Sequence, residues 1–392
     1  MNTAPSIYKS LFFLWIAHFF MDFFTGIWPI YKTLAQIDVA KAGLIVGISG
    51  FAGEILQLYS GYLCDRGHRK KMLILGLVLA SAILWVTFTH EIMPCFMLLL
   101  LLMIGSGAFH PAAAGMASIL SPQKGRMVLI FASGGAIGLG VSQIAFTQLM
   151  NVFEGHAWIA LVPLAIVLFS LFLHPFPKQE TAVTAVPLKD FFKPLMQYRR
   201  PLFLLYISQV STQALYMSIM FLLPDLLRAN ACHSWLCMGG GHLCFVLAAA
   251  VTMIPAGYLC DKYGQKSVLL FVVSAAICLY YLFLGKPGLS FGATLALMAA
   301  LGGVIGIINP IIVSWGNRLV PESPSTVSAL LMGFAWCVGN LGPTASGLIT
   351  QFFPENPFPQ TLSIMGALLF LILFCIILMP RPEKSFANIP ND

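Results

Sequence analysis

Long runs of apolar residues, separated by short polar turns, occupy most of this 392-residue chain. A helix needs about 20 apolar residues to cross a bilayer core that is roughly 30 Å thick. Runs of that length predict twelve membrane-spanning helices, at residues 8–31, 42–63, 72–89, 93–118, 127–150, 157–174, 201–227, 237–259, 267–285, 290–316, 325–351 and 358–380. The pattern therefore predicts an all-α membrane protein.

Composition agrees with this prediction, because 59% of the residues are hydrophobic and only 9% are charged. Soluble domains have roughly 45–50% apolar and about 25% charged residues. The net charge of +7 is distributed as in a membrane protein rather than as a nucleic-acid-binding surface. With the N-terminus in the cytoplasm, 17 of the 21 basic residues lie on the cytoplasmic side, the exceptions being Lys32, Lys41, Arg228 and Lys286. We therefore expect both termini in the cytoplasm, a lipid bilayer as the main partner, and no nucleic acid.

The chain also repeats itself at half its length. The pentapeptide Gly-Tyr-Leu-Cys-Asp occurs at 61–65 and again at 257–261, 196 residues apart. Such a repeat within apolar segments indicates two membrane-embedded halves that act as a pair, which is typical of transporters. We predict a six-helix bundle at 1–174, a polar, proline-bearing cytoplasmic linker at 175–200, a second six-helix bundle at 201–380 and a cytoplasmic tail at 381–392.

The charged turn after each pentapeptide resembles motif A of the major facilitator superfamily, Gly-x-x-x-Asp-Arg/Lys-x-Gly-Arg/Lys-Arg/Lys. The matching positions are Gly61, Asp65, Arg66, Arg69 and Lys70 in the first copy and Gly257, Asp261, Lys262, Gly264 and Lys266 in the second. His68 replaces a glycine of the motif and Gln265 replaces a base. The resemblance implies the two-bundle fold of that superfamily and a cytoplasmic gate formed by these residues. The alternative is that the charges only fix the topology.

Two shorter segments are similar to the fosmidomycin-resistance branch of the superfamily. They are His18-Phe-Phe-Met-Asp22 in the first helix and Phe109-His110-Pro111 in the fourth. This resemblance implies proton-driven export of small drugs across a bacterial inner membrane. Exporters commonly carry Gly-Pro in the fifth helix, whereas here that pair occurs in the eleventh, as Gly342-Pro343.

Ionisable residues inside apolar spans are costly, so each one is a candidate functional residue. Asp22 is the main candidate for proton coupling, with His18 one turn earlier on the same helix face. Glu54 and His110 are further candidates. For each residue the alternative is a structural role, such as an interhelical hydrogen bond that fixes packing.

The second half carries neutral polar residues where the first carries titratable ones. Aligning Pro29 with Pro224 places Gln213 opposite His18. Spacings of i, i+3, i+7 and i+10 place four polar residues of the seventh helix on one face. The predicted substrate-binding residues are Tyr206, Gln209, Gln213, Tyr216, Asn309 and Asn340. The same amides are equally suited to holding helices together.

Soft ligands cluster near the start of the eighth helix, at Cys232, His233, Cys237, His242 and Cys244. Their spacing matches no standard zinc motif, so we predict no metal site there. The sequence leaves undecided whether Cys232 and Cys237 form a disulfide. No phosphate-binding loop is present, which indicates that ATP does not drive the protein. We expect no cofactor besides the proton gradient, no enzymatic site, and a monomer that moves a small molecule. Nutrient uptake and a non-transporting sensor remain as alternatives to export.

Overall fold

The computed structural model describes residues 7–120, 124–176, 193–321 and 324–380, and these ranges contain helices but no strand. Most of the predicted linker and the whole predicted tail lie outside them. Ten helical runs in the described residues are long and apolar enough to cross a membrane. One of these, Val39–Phe88, has 50 residues and changes direction at Gly67, and Ala157–Leu173 is a shorter apolar helix. The predicted all-helical fold is confirmed, while the count of twelve spans stays a prediction.

We number the helices α1 to α12, separating the 50-residue run at Gly67 and including the shorter helix. The first six are α1 Ile7–Leu34, α2 Val39–Leu63, α3 Arg69–Ala80 with its 3₁₀ continuation Ser81–Phe88, α4 Ile92–Ile119, α5 Lys124–Val152 and α6 Ala157–Leu173. The other six are α7 Arg199–Ala229, α8 Leu236–Tyr263, α9 Gln265–Gly285, α10 Phe291–Leu319, α11 Thr326–Phe352 and α12 Pro357–Leu378. A 3₁₀ segment, Lys193–Tyr198, leads into α7.

Two glycines form the corresponding turns of the two motif A copies. Gly67, with φ 89°, separates α2 from α3, and Gly264, with φ 80°, separates α8 from α9. Both angles lie in the left-handed region that glycine adopts without steric cost. The motif places its turn glycine at the position of His68. In the first copy the turn glycine is Gly67, one residue earlier.

Close helix packing within each half uses small residues. A Cβ added at Gly105 in α4 would lie 2.5 Å from the Gly76 carbonyl oxygen of α3, and one added at Gly107 would lie 2.3 Å from the Gly53 carbonyl oxygen of α2. Such contacts bring backbones together where bilayer lipid offers no hydrophobic driving force. In the second half, a Cβ at Gly302 in α10 would lie 2.2 Å from the Phe245 carbonyl oxygen of α8.

Within the described ranges, the main contacts between the two halves are those of α1 with α7, α2 with α11 and α5 with α8. Gly43 in α2 lies against Pro343 in α11, where an added Cβ would be 2.3 Å from the Pro343 carbonyl oxygen. Thr344 donates a hydrogen bond of 2.9 Å to the Gly43 carbonyl oxygen. The contacts between the halves lie toward the ends of α1 and α7 that carry Lys32 and Asp225. We call this end of the protein the latch end. The opposite end, with Asp65 and Asp261, is the motif end.

Candidate functional site

The centre of the site is Asp22, which lies between two histidines. Its Oδ2 atom is 3.3 Å from His18 Nε2 on the same helix, and its Oδ1 atom is 3.3 Å from His110 Nε2 on α4. The predicted i, i+4 spacing accounts for the first contact. The second joins residues 88 positions apart and depends on how α1 packs against α4.

Both histidines are oriented by backbone carbonyl groups. His18 Nδ1 lies 3.0 Å from the Phe131 carbonyl oxygen, and His110 Nδ1 lies 3.0 Å from the Ser106 carbonyl oxygen. Because a carbonyl oxygen can only accept, each Nδ1 atom carries a hydrogen. The Nε2 atom of each ring faces Asp22. In a neutral ring this atom carries a lone pair, and in a protonated ring it donates a hydrogen bond to the carboxylate. An added proton turns one Nε2–carboxylate contact into a hydrogen bond, and a second proton does the same for the other contact.

A glycine in α5 allows this cluster to form. A Cβ added at Gly135 would lie 2.4 Å from Asp22 Oδ2 and 2.4 Å from His18 Nε2. That separation is far below van der Waals contact, so any larger side chain would push His18 and Asp22 apart. Gly135 belongs to the Gly-rich stretch that the sequence shows in α5.

Glu54 lies near this cluster on α2, within electrostatic range of His110. Its Oε2 atom is buried and has no hydrogen-bond partner among the described residues. A buried carboxylate oxygen without a partner is costly unless a proton or a ligand satisfies it. The structure thus brings all four predicted proton-coupling residues into one region, and their role stays a prediction.

The predicted substrate-binding face of α7 looks inward. Gln213 Nε2 donates a hydrogen bond of 3.2 Å to Asn340 Oδ1 in α11. Gln209 is fully buried, and neither polar atom of its side chain has a partner among the described residues. Tyr216 is within electrostatic range of Asp22, which places the face of α7 opposite the cluster of the first half.

Two further predicted binding residues are less closely connected to the cluster. Tyr206 lies within electrostatic range of Cys337 in α11. Asn309 is half-buried and follows the break in α10 at Ile307. Their binding roles stay predictions.

A buried ion pair that the sequence analysis did not identify joins the halves at the latch end. Lys32 Nζ donates to Asp225 Oδ2, and Lys32 is only 1% exposed. Thr33 Oγ1 donates a hydrogen bond of 2.8 Å to Asp225 Oδ1, and Arg228 donates one of 3.2 Å to the Thr33 carbonyl oxygen. The sequence analysis counted Lys32 among the four basic residues outside the cytoplasmic segments. A signal was available, because Lys32 and Asp225 both lie near the ends of apolar spans.

In the described part of the chain, the acidic residues of motif A pair within their own halves. Asp65 lies 3.3 Å from Arg69 Nη2, and Arg318 donates to Asp261. A Cβ at Gly61 would meet only Pro111 Cβ at 3.9 Å, and one at Gly257 would meet nothing within 4 Å. Among the residues that the structure describes, no helix therefore approaches these two glycines closely in this conformation, in which Asp65 and Asp261 are more than half exposed.

Two lysines of motif A contact the ends of other helices, and the role of the motif in a gate stays a prediction. Lys70 Nζ donates hydrogen bonds to the carbonyl oxygens of Phe172, at 2.8 Å, and His174, at 2.9 Å. In the second half, Lys266 Nζ donates to the carbonyl oxygens of Ile377 and Met379. Each lysine thus caps the C-terminal end of the last helix of its own half. Arg66 stacks on Tyr62, and Lys262 lies over Tyr263.

The cysteine- and histidine-rich segment lies at the latch end. Cys237 Sγ is 3.4 Å from the Cys232 carbonyl oxygen, and both cysteines are free thiols. The His233 ring packs against Phe291. His242 Nε2 lies 2.8 Å from the Leu139 carbonyl oxygen, so this histidine joins α8 to α5 rather than to the cysteines.

Comparison with known proteins agrees with this arrangement. The family model described as Major Facilitator Superfamily matches residues 11–340 and 233–391. The chain belongs to that superfamily. It is therefore a multi-pass membrane transporter whose substrate is a small molecule.

Two curated relatives extend along most of the chain. An MFS-type transporter of Bacillus subtilis (strain 168), YfnC, described as uncharacterized, is 22% identical over 397 residues and 94% of each chain. The fosmidomycin resistance protein of Escherichia coli (strain K12) is 24% identical over 345 residues, covering 83% of this chain and 81% of its own. The predicted resemblance to this branch is confirmed.

Two solved structures share the fold. The nucleoside transporter NupG superposes with a TM-score of 0.77 at 14% identity, over 95% of this chain and all of that one. A bacterial homolog of the human lysosomal transporter Spinster, in an inward-facing and occupied conformation, gives a TM-score of 0.77 at 14% identity, over 96% of this chain and 97% of that one. At these identities the similarity concerns the fold alone.

Proposed function

We propose that this protein is a proton-coupled exporter that moves a small drug-like or polar molecule out of the cell by alternating access. Asp22, placed between His18 and His110, is the observation that carries the proposal. A carboxylate and two imidazoles inside membrane-spanning helices cost free energy, so their presence there favours a function. Together they hold one or two protons without leaving the apolar interior.

In the proposed cycle, the halves rock about a site at the middle of the membrane. The described contacts between the halves lie at the latch end and along α2 and α11, while motif A pairs only within each half. This arrangement corresponds to a state closed at the latch end. With the termini in the cytoplasm of a bacterial cell, that state faces inward and receives substrate from the cytoplasm.

The two halves have different tasks in this scheme. The first half contributes the titratable residues, Asp22, His18, His110 and Glu54. The second half contributes the neutral face of α7 and α11, in which Gln213 bonds Asn340 and Gln209 has free hydrogen-bonding groups. An incoming substrate would satisfy the Gln209 amide, because its polar atoms are costly to leave unpaired.

The export direction is supported by the relative named for fosmidomycin resistance. The monomer, the six-plus-six division and the cytoplasmic gate at motif A belong to the same proposal. In the outward-facing state we expect Asp65 and Asp261 to leave their present partners and contact the opposite half.

A transport assay in proteoliposomes tests the proposal. Radiolabelled candidates from drugs, phosphonates, nucleosides, sugars and amino acids are added one at a time under an imposed pH gradient. We expect one class to move opposite to the protons. Movement in the same direction as the protons would replace export by uptake, and movement without protons would overturn the coupling.

A further inference from the structure

The three residues around Asp22 also have the chemistry of a transition-metal site. His18 Nε2, His110 Nε2 and a carboxylate oxygen of Asp22 all lie within 4.8 Å of one another, and no other such group occurs in the described part of the chain. Two imidazole nitrogens and a carboxylate oxygen suit Zn²⁺, Cu²⁺, Ni²⁺ and Co²⁺, whereas Mg²⁺ and Ca²⁺ prefer oxygen ligands alone.

The Nδ1 contacts of the two histidines match those of histidines that bind metal ions. A metal ligand needs an imidazole nitrogen with a free lone pair, and its other nitrogen usually donates to a carbonyl or carboxylate. Here the Nδ1 atoms lie 3.0 Å from the carbonyl oxygens of Phe131 and Ser106. When both rings are neutral, their Nε2 lone pairs consequently face Asp22, and binding an ion needs no change of tautomer.

The distances fit as well. His18 Nε2 and His110 Nε2 each lie 3.3 Å from a different oxygen of Asp22. With metal–ligand bonds of about 2.0–2.1 Å, neighbouring ligands of a tetrahedral site are about 3.3–3.4 Å apart. Each contact has this separation but uses a different oxygen of Asp22, and the three ligand atoms lie within 4.8 Å of one another. Binding one ion therefore requires side-chain rotations that draw the ligands together.

The cluster is partly accessible. The side chains of His110 and Asp22 are 32% and 20% exposed, while His18 is 9% exposed. Gly135 of α5 packs against the contact between His18 and Asp22, and no larger side chain fits there. One side of the cluster is therefore closed by backbone, and the side toward His110 is open to a fourth ligand such as water.

We propose that His18, Asp22 and His110 bind one divalent transition-metal ion of the Zn²⁺ class, with the fourth position open. Binding itself does not depend on proton coupling. The consequence, which rests on the proposed function, is that the ion occupies the lone pairs that would receive protons and inhibits transport.

Co²⁺ added to the purified full-length chain, with any affinity tag removed, tests the site by its visible d–d absorption. We expect one Co²⁺ per chain in a four- or five-coordinate spectrum, displaced by Zn²⁺ but not by Mg²⁺. Asp22→Asn and His110→Gln should each weaken binding by more than about tenfold. His233→Gln, in the cysteine-rich segment, should leave binding unchanged, and gel filtration verifies that every variant is folded.

Absence of the spectrum, or its loss in His233→Gln and not in Asp22→Asn, would overturn the proposed site. Inhibition by Zn²⁺ is measured separately, as substrate flux in proteoliposomes. If Co²⁺ binds as expected but Zn²⁺ does not slow the flux, the metal site stands and the role of the cluster in transport is wrong.

Discussion

Lys32 and Asp225 form a buried ion pair between the two halves of the protein, at the end where the halves are in contact. The Lys32 ammonium lies 4.5 Å from the centre of the Phe221 ring, and Thr33 binds the other oxygen of Asp225. The alternating access that we propose requires these contacts to separate once in each cycle. The pair thus links the stability of the closed latch end to the rate of transport.

Breaking the pair from one side should destabilise the protein. Asp225→Asn leaves the Lys32 charge buried without a partner, and the free energy of unfolding should fall by about 3–5 kcal/mol. The double variant Lys32→Met, Asp225→Leu should recover most of that loss, because neither charge is then buried. Thermal unfolding measures both effects.

The exposed Lys41, changed to Met, serves as the control for a lost lysine near the same end. Equal stability of Asp225→Asn and the parent protein would show that Lys32 and Asp225 do not form a buried ion pair in the membrane.

Gly135 should tolerate no larger residue. The added methyl group of Gly135→Ala would lie 2.4 Å from both His18 Nε2 and Asp22 Oδ2, so the cluster must move apart. We expect proton-coupled flux to fall by more than about tenfold, since misplaced catalytic or coupling groups commonly cost that much. Gly333→Ala, whose methyl group would meet nothing within 4 Å, is the matched control. Full activity of Gly135→Ala would mean that the present geometry of the cluster is not needed.

Asp65 should matter for the cycle and little for stability. It is half exposed, and its partner among the described residues is Arg69, an interaction worth about 0–1 kcal/mol at a surface. Asp65→Asn should therefore unfold at nearly the same temperature as the parent and bind substrate normally, yet turn over more slowly. Unchanged turnover would instead favour a role of motif A in topology alone.

Lys70 should stabilise the C-terminal end of α6. Its ammonium group donates to two carbonyl oxygens there, and a cation at a helix C-terminus contributes about 0.3–1 kcal/mol. Lys70→Met should lower the melting temperature measurably, whereas Lys71→Met, at the exposed neighbouring position, should not. Equal melting temperatures of the two variants would remove the capping role.

The sequence predicted the features that depend on local spacing. Runs of about 20 apolar residues gave helices whose ends agree with the structure to within a few residues, as in α9, predicted at 267–285 and observed at Gln265–Gly285. The contact between His18 and Asp22 followed from one helical turn. The inward face of α7 followed from its glutamines, which lipid does not solvate.

Contacts between distant helices were beyond such reasoning. His110 reaches Asp22 because α1 and α4 pack at one particular rotation, and apolar periodicity does not specify that rotation. The sequence analysis placed Lys32 outside the cytoplasmic side from its position along the chain. It could not show that a break in α1 at Gly26 and the packing of α7 bury Lys32 against Asp225. Lys70 and Lys266 matched a motif, but their hydrogen bonds to helix ends depend on where α6 and α12 finish.

Proton flux into proteoliposomes, compared between the parent protein and Asp22→Asn, tests the central claim most directly. Asn keeps the size of the side chain and removes the group that takes up protons with His18 and His110. Under an imposed pH gradient, substrate should collapse the gradient with the parent protein and not with Asp22→Asn, while the variant still exchanges labelled for unlabelled substrate. Collapse of the gradient at the parent rate in the variant would contradict the assignment of Asp22 to proton coupling.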